Sequence, residues 1–156
     1  MTDLSALYNE RILGFAAAIA PARRLERPDA SASAHSKLCG STITVDLALD
    51  GDVVTDYAQV VKACLLGQAA AAIVAAHVVG SDLTEIRGVA AEMRRMVKEN
   101  GPPPTGKWAD LAVLEPVREV KGRHASTMLA FEAILRAFDT RLAHNPNGAE
   151  VQPADA

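Results

Sequence analysis

Apolar residues change their period several times along this chain. Between about Asp3 and Ala20, Leu4, Tyr8, Ile12, Phe15 and Ile19 recur at steps of three and four, which places them on one helical face with Asn9, Glu10 and Arg11 off it. Pro21 ends that helix, because its ring removes a backbone donor. From Thr42 to Leu49 the period becomes two: Ile43, Val45, Leu47 and Leu49 alternate with Thr42, Thr44, Asp46 and Ala48, a strand with one face inward and the other toward solvent. Asp50-Gly51 favours a type I′ turn, after which Val53 to Val61 returns as an antiparallel partner. The Ser/Ala alternation from Asp29 to His35 reads as a short edge strand.

The second half is helical. After Cys64, LLGQAAAAIVAAHVV has the length of a helix, and its alanines permit close approach to another element. Gly80 stops it, and Asp82 followed by Glu85 reads as a capping box for a helix presenting Ile86, Val89, Ala90, Met93 and Val97. That helix ends at Asn100-Gly101, before three prolines. Lys107 to Leu114, around the lone Trp108, predicts a short helical segment. The last helix spans about Thr127 to Ala143, with Met128, Phe131, Leu135, Phe138 and Leu142 in step. Residues 145–156 read as a disordered tail, leaving one domain over residues 1–144. A helix, a small antiparallel sheet of about three strands and then several helices is an α+β arrangement.

Composition narrows the function. At 156 residues with 49% hydrophobic and 22% charged residues, the chain can bury a core without disulfides. A formal charge of −3 offers no field for a polyanion, so nucleic acid is not an expected partner. The N-terminus lacks a signal peptide's basic start and apolar run, and no stretch suits a bilayer, which predicts a cytoplasmic protein without membrane contact. The two cysteines are then free thiols, metal ligands or buried side chains rather than a permanent disulfide. No nucleophile-histidine-acid triad or phosphate loop is evident, so a stand-alone enzyme is not expected.

The candidate chemistry lies between Lys37 and Ala72. Cys39 sits in a Cys-Gly turn just before the first clear strand, and Cys64 follows the second strand and opens a helix, so a hairpin can return both thiols to one end of the sheet. Spacing alone leaves the ligand and core roles open, because cysteine is also a common buried hydrophobe. A helix N-terminus favours thiolate character, which makes Cys64 a candidate nucleophile. Ser126, just before an apolar periodic run, reads as a helix N-cap, and Ser41 as a turn residue. His124 stays open between surface residue and ligand, His35 reads as a surface residue, and His77 reads as a packed side chain.

Four segments together resemble the iron–sulfur scaffold family of IscU, SufU and the N-terminal domain of NifU. They are Leu38-Cys-Gly-Ser41, the strand pair with its Asp-Gly turn, Ala63-Cys-Leu-Leu-Gly-Gln-Ala-Ala-Ala-Ala72, and Arg123-His-Ala-Ser-Thr-Met-Leu-Ala-Phe131 continuing to Ile134. The resemblance runs from about Tyr8 to Phe138, and the long connection before the third motif is more like SufU than IscU. It implies a small-sheet scaffold on which an iron–sulfur cluster is built, with a cysteine desulfurase as sulfur donor and cluster-accepting apoproteins as recipients. It also implies a ligand set of which Cys39 and Cys64 are present, while Ser41 stands at the family's aspartate and Ser126 at its third cysteine. Serine hydroxyls are poor ligands for iron or zinc, so His124, His35, sulfide, water or a second subunit in a homodimer would complete the coordination. Three roles follow from the resemblance: a carrier of iron, zinc or a labile cluster, a persulfide acceptor through Cys64 or Cys39, or a metal-silent binding module of the same system.

Overall fold

The computed structural model describes residues 9–38 and 40–144. Leu4, Tyr8, Cys39 and the expected tail at residues 145–156 lie outside the described residues, as does the side chain of Leu142. The architecture is α+β, with four α-helices and one three-stranded antiparallel sheet among the described residues. Helix α1 covers Glu10–Ala17, and strands β1 (Ala30–His35), β2 (Thr42–Asp50) and β3 (Val53–Lys62) follow. Helices α2 (Leu65–His77) and α3 (Leu83–Lys98) come next, then 3-10 segments at Gly106–Glu119 and Lys121–Arg123, and finally α4 (His124–His144).

Helix α1 starts where its cap dictates: the Asn9 side chain accepts the Ile12 amide at 3.0 Å. Ile12 is fully buried, with Phe15 and Ile19 packed partly against the core, so the predicted face is the one that docks. The sheet order is β1-β2-β3, and the Ser/Ala segment is indeed its edge strand, pairing Ala30 with Leu47 through His35 with Thr42. The hairpin turn differs from the sequence expectation by one residue. Asp50 pairs with Val53, so Gly51 and Asp52 are the central positions. Gly51 has φ +64° and is the one central residue with positive φ, which is the type II′ pattern rather than type I′. Further up the ladder Ala48 pairs with Asp56 and Leu49 with Val54, leaving Thr55 as an extra, bulged residue.

One face of the sheet, with Ala34, Ile43, Val45 and Leu47, packs under α4, in which Phe131, Ile134 and Phe138 are buried. The opposite face is not simply solvated, as the alternation had suggested. Asp46 is fully buried there, because residues 24 and 25 fold across the sheet to meet it. Arg24 grips the carboxylate with two hydrogen bonds of 2.7 and 3.0 Å, the Leu25 amide donates at 2.9 Å, and Ser31 Oγ donates at 2.5 Å. Burial alone would push the Asp46 carboxyl up, but these donors and the guanidinium charge outweigh it and hold the group below the usual aspartate value.

Helix α3 is capped by Asp82, which accepts the Glu85 amide at 2.8 Å. The reciprocal half of the expected capping box is diverted: Glu85 instead accepts from Trp108 Nε1 at 2.8 Å, Lys107 at 3.1 Å and Ser81 at 3.2 Å. Those bonds tie the 3-10 segment onto α3. Trp108, Leu111, Leu114 and Val117, all buried, recur at every third position, which is the repeat of a 3-10 helix and aligns them in one stripe. The sequence expectation of a short segment ending at Leu114 was therefore too short. Among the described residues, no helix is long and apolar enough to cross a membrane.

Candidate functional site

The sheet register brings two of the singled-out segments to one end. Thr42 pairs with His35 on one side and with Lys62 on the other, so the turn at residues 36–41 and the junction leading to Cys64 leave the same end of the sheet. Neighbouring strands lie about 4.8 Å apart. The turn is closed by Ser36, whose amide donates to the Ser41 carbonyl at 2.8 Å while its own carbonyl accepts the Gly40 amide at 2.9 Å. Gly40 has φ +71°, a conformation that disfavours any side chain and explains the Cys-Gly pairing. Leu38 is 78% exposed at the tip, whereas Ser41 is buried at the base. Cys39 itself lies outside the described residues.

Cys64 occupies the N-cap of α2, in extended conformation, and makes no capping bond with its side chain. It is partly exposed. Its Sγ instead donates to Ser126 Oγ at 3.5 Å, joining two segments 62 residues apart in sequence. Ser126 does not cap the last helix, as its position had suggested. α4 begins at His124, running straight on from the 3-10 turn Lys121–Arg123, so the first helical turn needs no separate cap and Ser126 lies inside it. The Ser126 hydroxyl donates to the Arg123 carbonyl at 3.0 Å, which leaves its lone pairs facing the thiol. Arg123 is thereby held beside the site by its backbone, and its side chain is half-buried.

Two residues that the family motif includes, but to which the sequence assigned no role, shape this contact. A Cβ placed on Gly67 would lie 2.8 Å from Ala63 Cβ, 3.4 Å from the Ser126 carbonyl oxygen and 3.6 Å from Ser126 Cβ. The glycine is therefore required by Ala63, just before the helix, while it faces Ser126 on α4 at ordinary contact distance, and a lone Gly inside an apolar helix was the available signal. Gln68 donates from Nε2 to the Ala63 carbonyl at 2.9 Å and so fixes the strand-to-helix junction just before Cys64. A polar residue opening an alanine run was its signal.

The histidines are placed differently from one another. His124 is buried, and its Nε2 lies 3.2 Å from the Arg118 carbonyl. A carbonyl only accepts, so in this contact Nε2 is the donor and is turned away from any ligand role. His35 is exposed at the end of β1, in register with Thr42 and hence at the same end of the sheet. His77, at the far end of α2, packs edge-on against Trp108 and meets Asp110 at 3.2 Å. Among the described residues no three of the His, Cys, Asp and Glu side chains gather as a metal site. The described donors near Cys64 are one soft sulfur and one hydroxyl already engaged with a carbonyl.

No family model and no curated protein matches the chain. Solved structures do. The chain is 46% identical to a nitrogen-fixing NifU-like protein (N-terminal) from Brucella abortus, covering 94% of this chain and 99% of that one with a TM-score of 0.87. A protein of the SUF system from the thermophile Fervidobacterium islandicum, described as an iron–sulfur cluster assembly scaffold, shares the fold at 16% identity, covering 86% of this chain and 98% of that one with a TM-score of 0.78. A hypothetical protein shares it at 19% identity, with a TM-score of 0.76 over 86% of this chain and 98% of that one.

Proposed function

The chain belongs to the NifU-like N-terminal domain family, and from that premise we propose that it is a scaffold for iron–sulfur cluster assembly. Its cargo is iron or a labile cluster, with zinc as a competing ion, held by the thiolates of Cys39 and Cys64. The observation that carries this reading is the contact of 3.5 Å between Cys64 Sγ and Ser126 Oγ, which joins the second and third family motifs in space. Sulfur is a soft donor suited to both ions, whereas Ser126 is already donating to Arg123. Ser41 and Ser126 line the site more than they ligate, and Nδ1 is the His124 nitrogen that can serve a ligand role, since Nε2 is engaged with the Arg118 carbonyl. Two thiolates leave coordination positions for sulfide, His35 or a second copy of the chain. Residues 1–144 act as one scaffold unit in the cytoplasm, served by a cysteine desulfurase and relieved by apoproteins that accept the cluster.

Partial exposure of Cys64 at a helix N-cap, with no capping bond to its sulfur, favours a second reading as sulfur acceptor. In that step the Cys64 thiolate attacks the outer sulfur of the desulfurase persulfide. A new S–S bond forms at Cys64 while the desulfurase cysteine leaves as thiolate, so no external oxidant is needed. Metal and acid-labile sulfide per chain after anaerobic purification, for the parent and for Cys39→Ser with Cys64→Ser, test the first reading. Mass spectrometry after incubation with a cysteine desulfurase and cysteine tests the second. The scaffold reading requires metal that the double variant loses and that protects both thiols from alkylation. An added sulfur mass at Cys64 without metal uptake replaces it with the acceptor reading, and desulfurase binding with neither change replaces both with a metal-silent module.

A further inference from the structure

Helix α4 has a second functional side. Met128 is two residues beyond Ser126, about 200° around the helix at 3.6 residues per turn, and so it faces away from Cys64. There, between α3 and α4, lies a surface groove of about 230 Å³. Its floor is apolar: Ala90, Met128 and Phe131 are buried beneath it, and Ala91 and Leu135 are half-covered at its sides. On the α3 rim stand Arg87 and Arg94, both exposed, and on the α4 rim stands Glu132, also exposed. Among the described residues neither arginine has an ion-pair or hydrogen-bond partner, although a carboxylate stands across the groove. Two solvated guanidinium groups thus flank an apolar floor on a chain whose overall charge is −3.

We infer that this groove docks a short amphipathic helix of a partner protein, whose contact stripe carries an acid at each end of an apolar pair. The spacing specifies the ligand. Arg87 and Arg94 are seven residues apart on one helix, about 10 Å along its axis, so carboxylates at positions i and i+7 of a docked helix reach both. Apolar side chains at i+3 and i+4 then fall between them onto Ala90, Ala91 and Met128. Glu132, on the opposite rim, repels an acid placed there and so keeps the acids on the α3 side of the groove. Two arginines with a facing glutamate are too few for a polyanion such as nucleic acid, whose binding draws on many phosphate contacts. A groove of about 230 Å³ takes a few side chains of one segment, which suits a peptide-like ligand. The inference does not depend on the thiols and stands apart from the assembly reading.

The probe is a fluorescein-labelled helical peptide with Glu at positions i and i+7 and Leu at i+3 and i+4, titrated with the full chain by fluorescence anisotropy. Saturable binding that weakens with salt is expected. Arg87→Glu with Arg94→Glu should weaken it at least tenfold, and a peptide carrying Lys in place of both Glu residues should prefer that double variant to the parent. Ala91→Trp fills the groove from its side and should abolish binding with the arginines intact, while circular dichroism checks that each variant is folded. Retained binding in the double variant or in Ala91→Trp overturns the inference, as does equal binding of a scrambled peptide. A dimer of the parent that the two charge reversals dissociate, seen by sedimentation, assigns the face to a second copy instead.

Discussion

Gly67→Ala tests how tightly the thiol site is built. In an exposed helix the change would stabilise by about 1 kcal/mol, the difference in helix propensity between the two residues. Here the new methyl would lie 2.8 Å from Ala63 Cβ and 3.4 Å from the Ser126 carbonyl oxygen. The Ala63 methyl is fixed to the strand-to-helix junction and is not the free end of a flexible side chain, so that junction, with the adjacent Cys64, must shift, whereas the distance to Ser126 on α4 is an ordinary contact. Overpacking of this kind costs about 1–3 kcal/mol, leaving a net loss of up to about 2 kcal/mol. The same displacement lengthens the Cys64–Ser126 contact of 3.5 Å and opens the thiol. Urea denaturation with a shared m-value should therefore show a lower midpoint, and Cys64 should alkylate faster than in the parent. Adding Ala63→Gly removes the clash and should recover the loss, less about 0.4–1 kcal/mol for the extra freedom of the unfolded chain. A Gly67→Ala protein that is more stable by the full helix-propensity increment, with unchanged alkylation, would refute the reasoning.

Other expectations follow from named contacts. Asp46→Ala strands the Leu25 amide and the Ser31 hydroxyl as well as Arg24, and should cost about 3 kcal/mol in urea denaturation. Because the native Asp46 carboxyl is held below its ordinary value of 3.8, its stabilisation is complete above that pH and is lost as pH falls through the native value. Acid titration of Asp46→Asn should lack that part of the decline; identical acid profiles would sink the assignment. Glu85→Ala orphans the Trp108 indole N–H and should cost about 1–3 kcal/mol while shifting tryptophan emission, and an unchanged spectrum counts against the bond. Ser41→Asp with Ser126→Cys should raise zinc affinity about tenfold or more by supplying a carboxylate and a second sulfur near Cys64. Unchanged uptake in a folded variant would count against a metal site here.

Periodicity made β2 and α3 legible, because β2 buries Ile43, Val45 and Leu47 on one face and α3 buries Ile86, Val89, Ala90, Met93 and Val97 along one stripe, whereas α2, buried on most of its sides, was legible by its length. Register inside the hairpin was less so: Asp50-Gly51-Asp52 offers two overlapping turns, and the strand pairing selects the second. Burial of Asp46 was invisible because its partner Arg24 is brought in by tertiary folding, not by local pattern. The start of α4 was misjudged for a related reason, since an incoming 3-10 turn replaces the cap that Ser126 had been expected to supply. At the site, spacing alone gave only that two thiols follow from one hairpin. Family resemblance singled out Ser126, and the tertiary contact of α2 with α4 is what brings it to Cys64.

The stripe of Trp108, Leu111, Leu114 and Val117 constrains how this chain can change in length. With three residues per turn, loss or gain of one residue rotates everything beyond it by about 120°, swinging a buried side chain into water and a charged one into the core. Loss or gain of three residues keeps the stripe in phase and moves the segment's end by about 6 Å along its axis, at roughly 2.0 Å per residue. The stretch leads through Lys121–Arg123 directly into the turn that carries Ser126, so a one-residue change would also re-aim the hydroxyl facing Cys64. Insertions and deletions between Gly106 and Glu119 should therefore be tolerated in multiples of three, a grammar closer to codons than to loops.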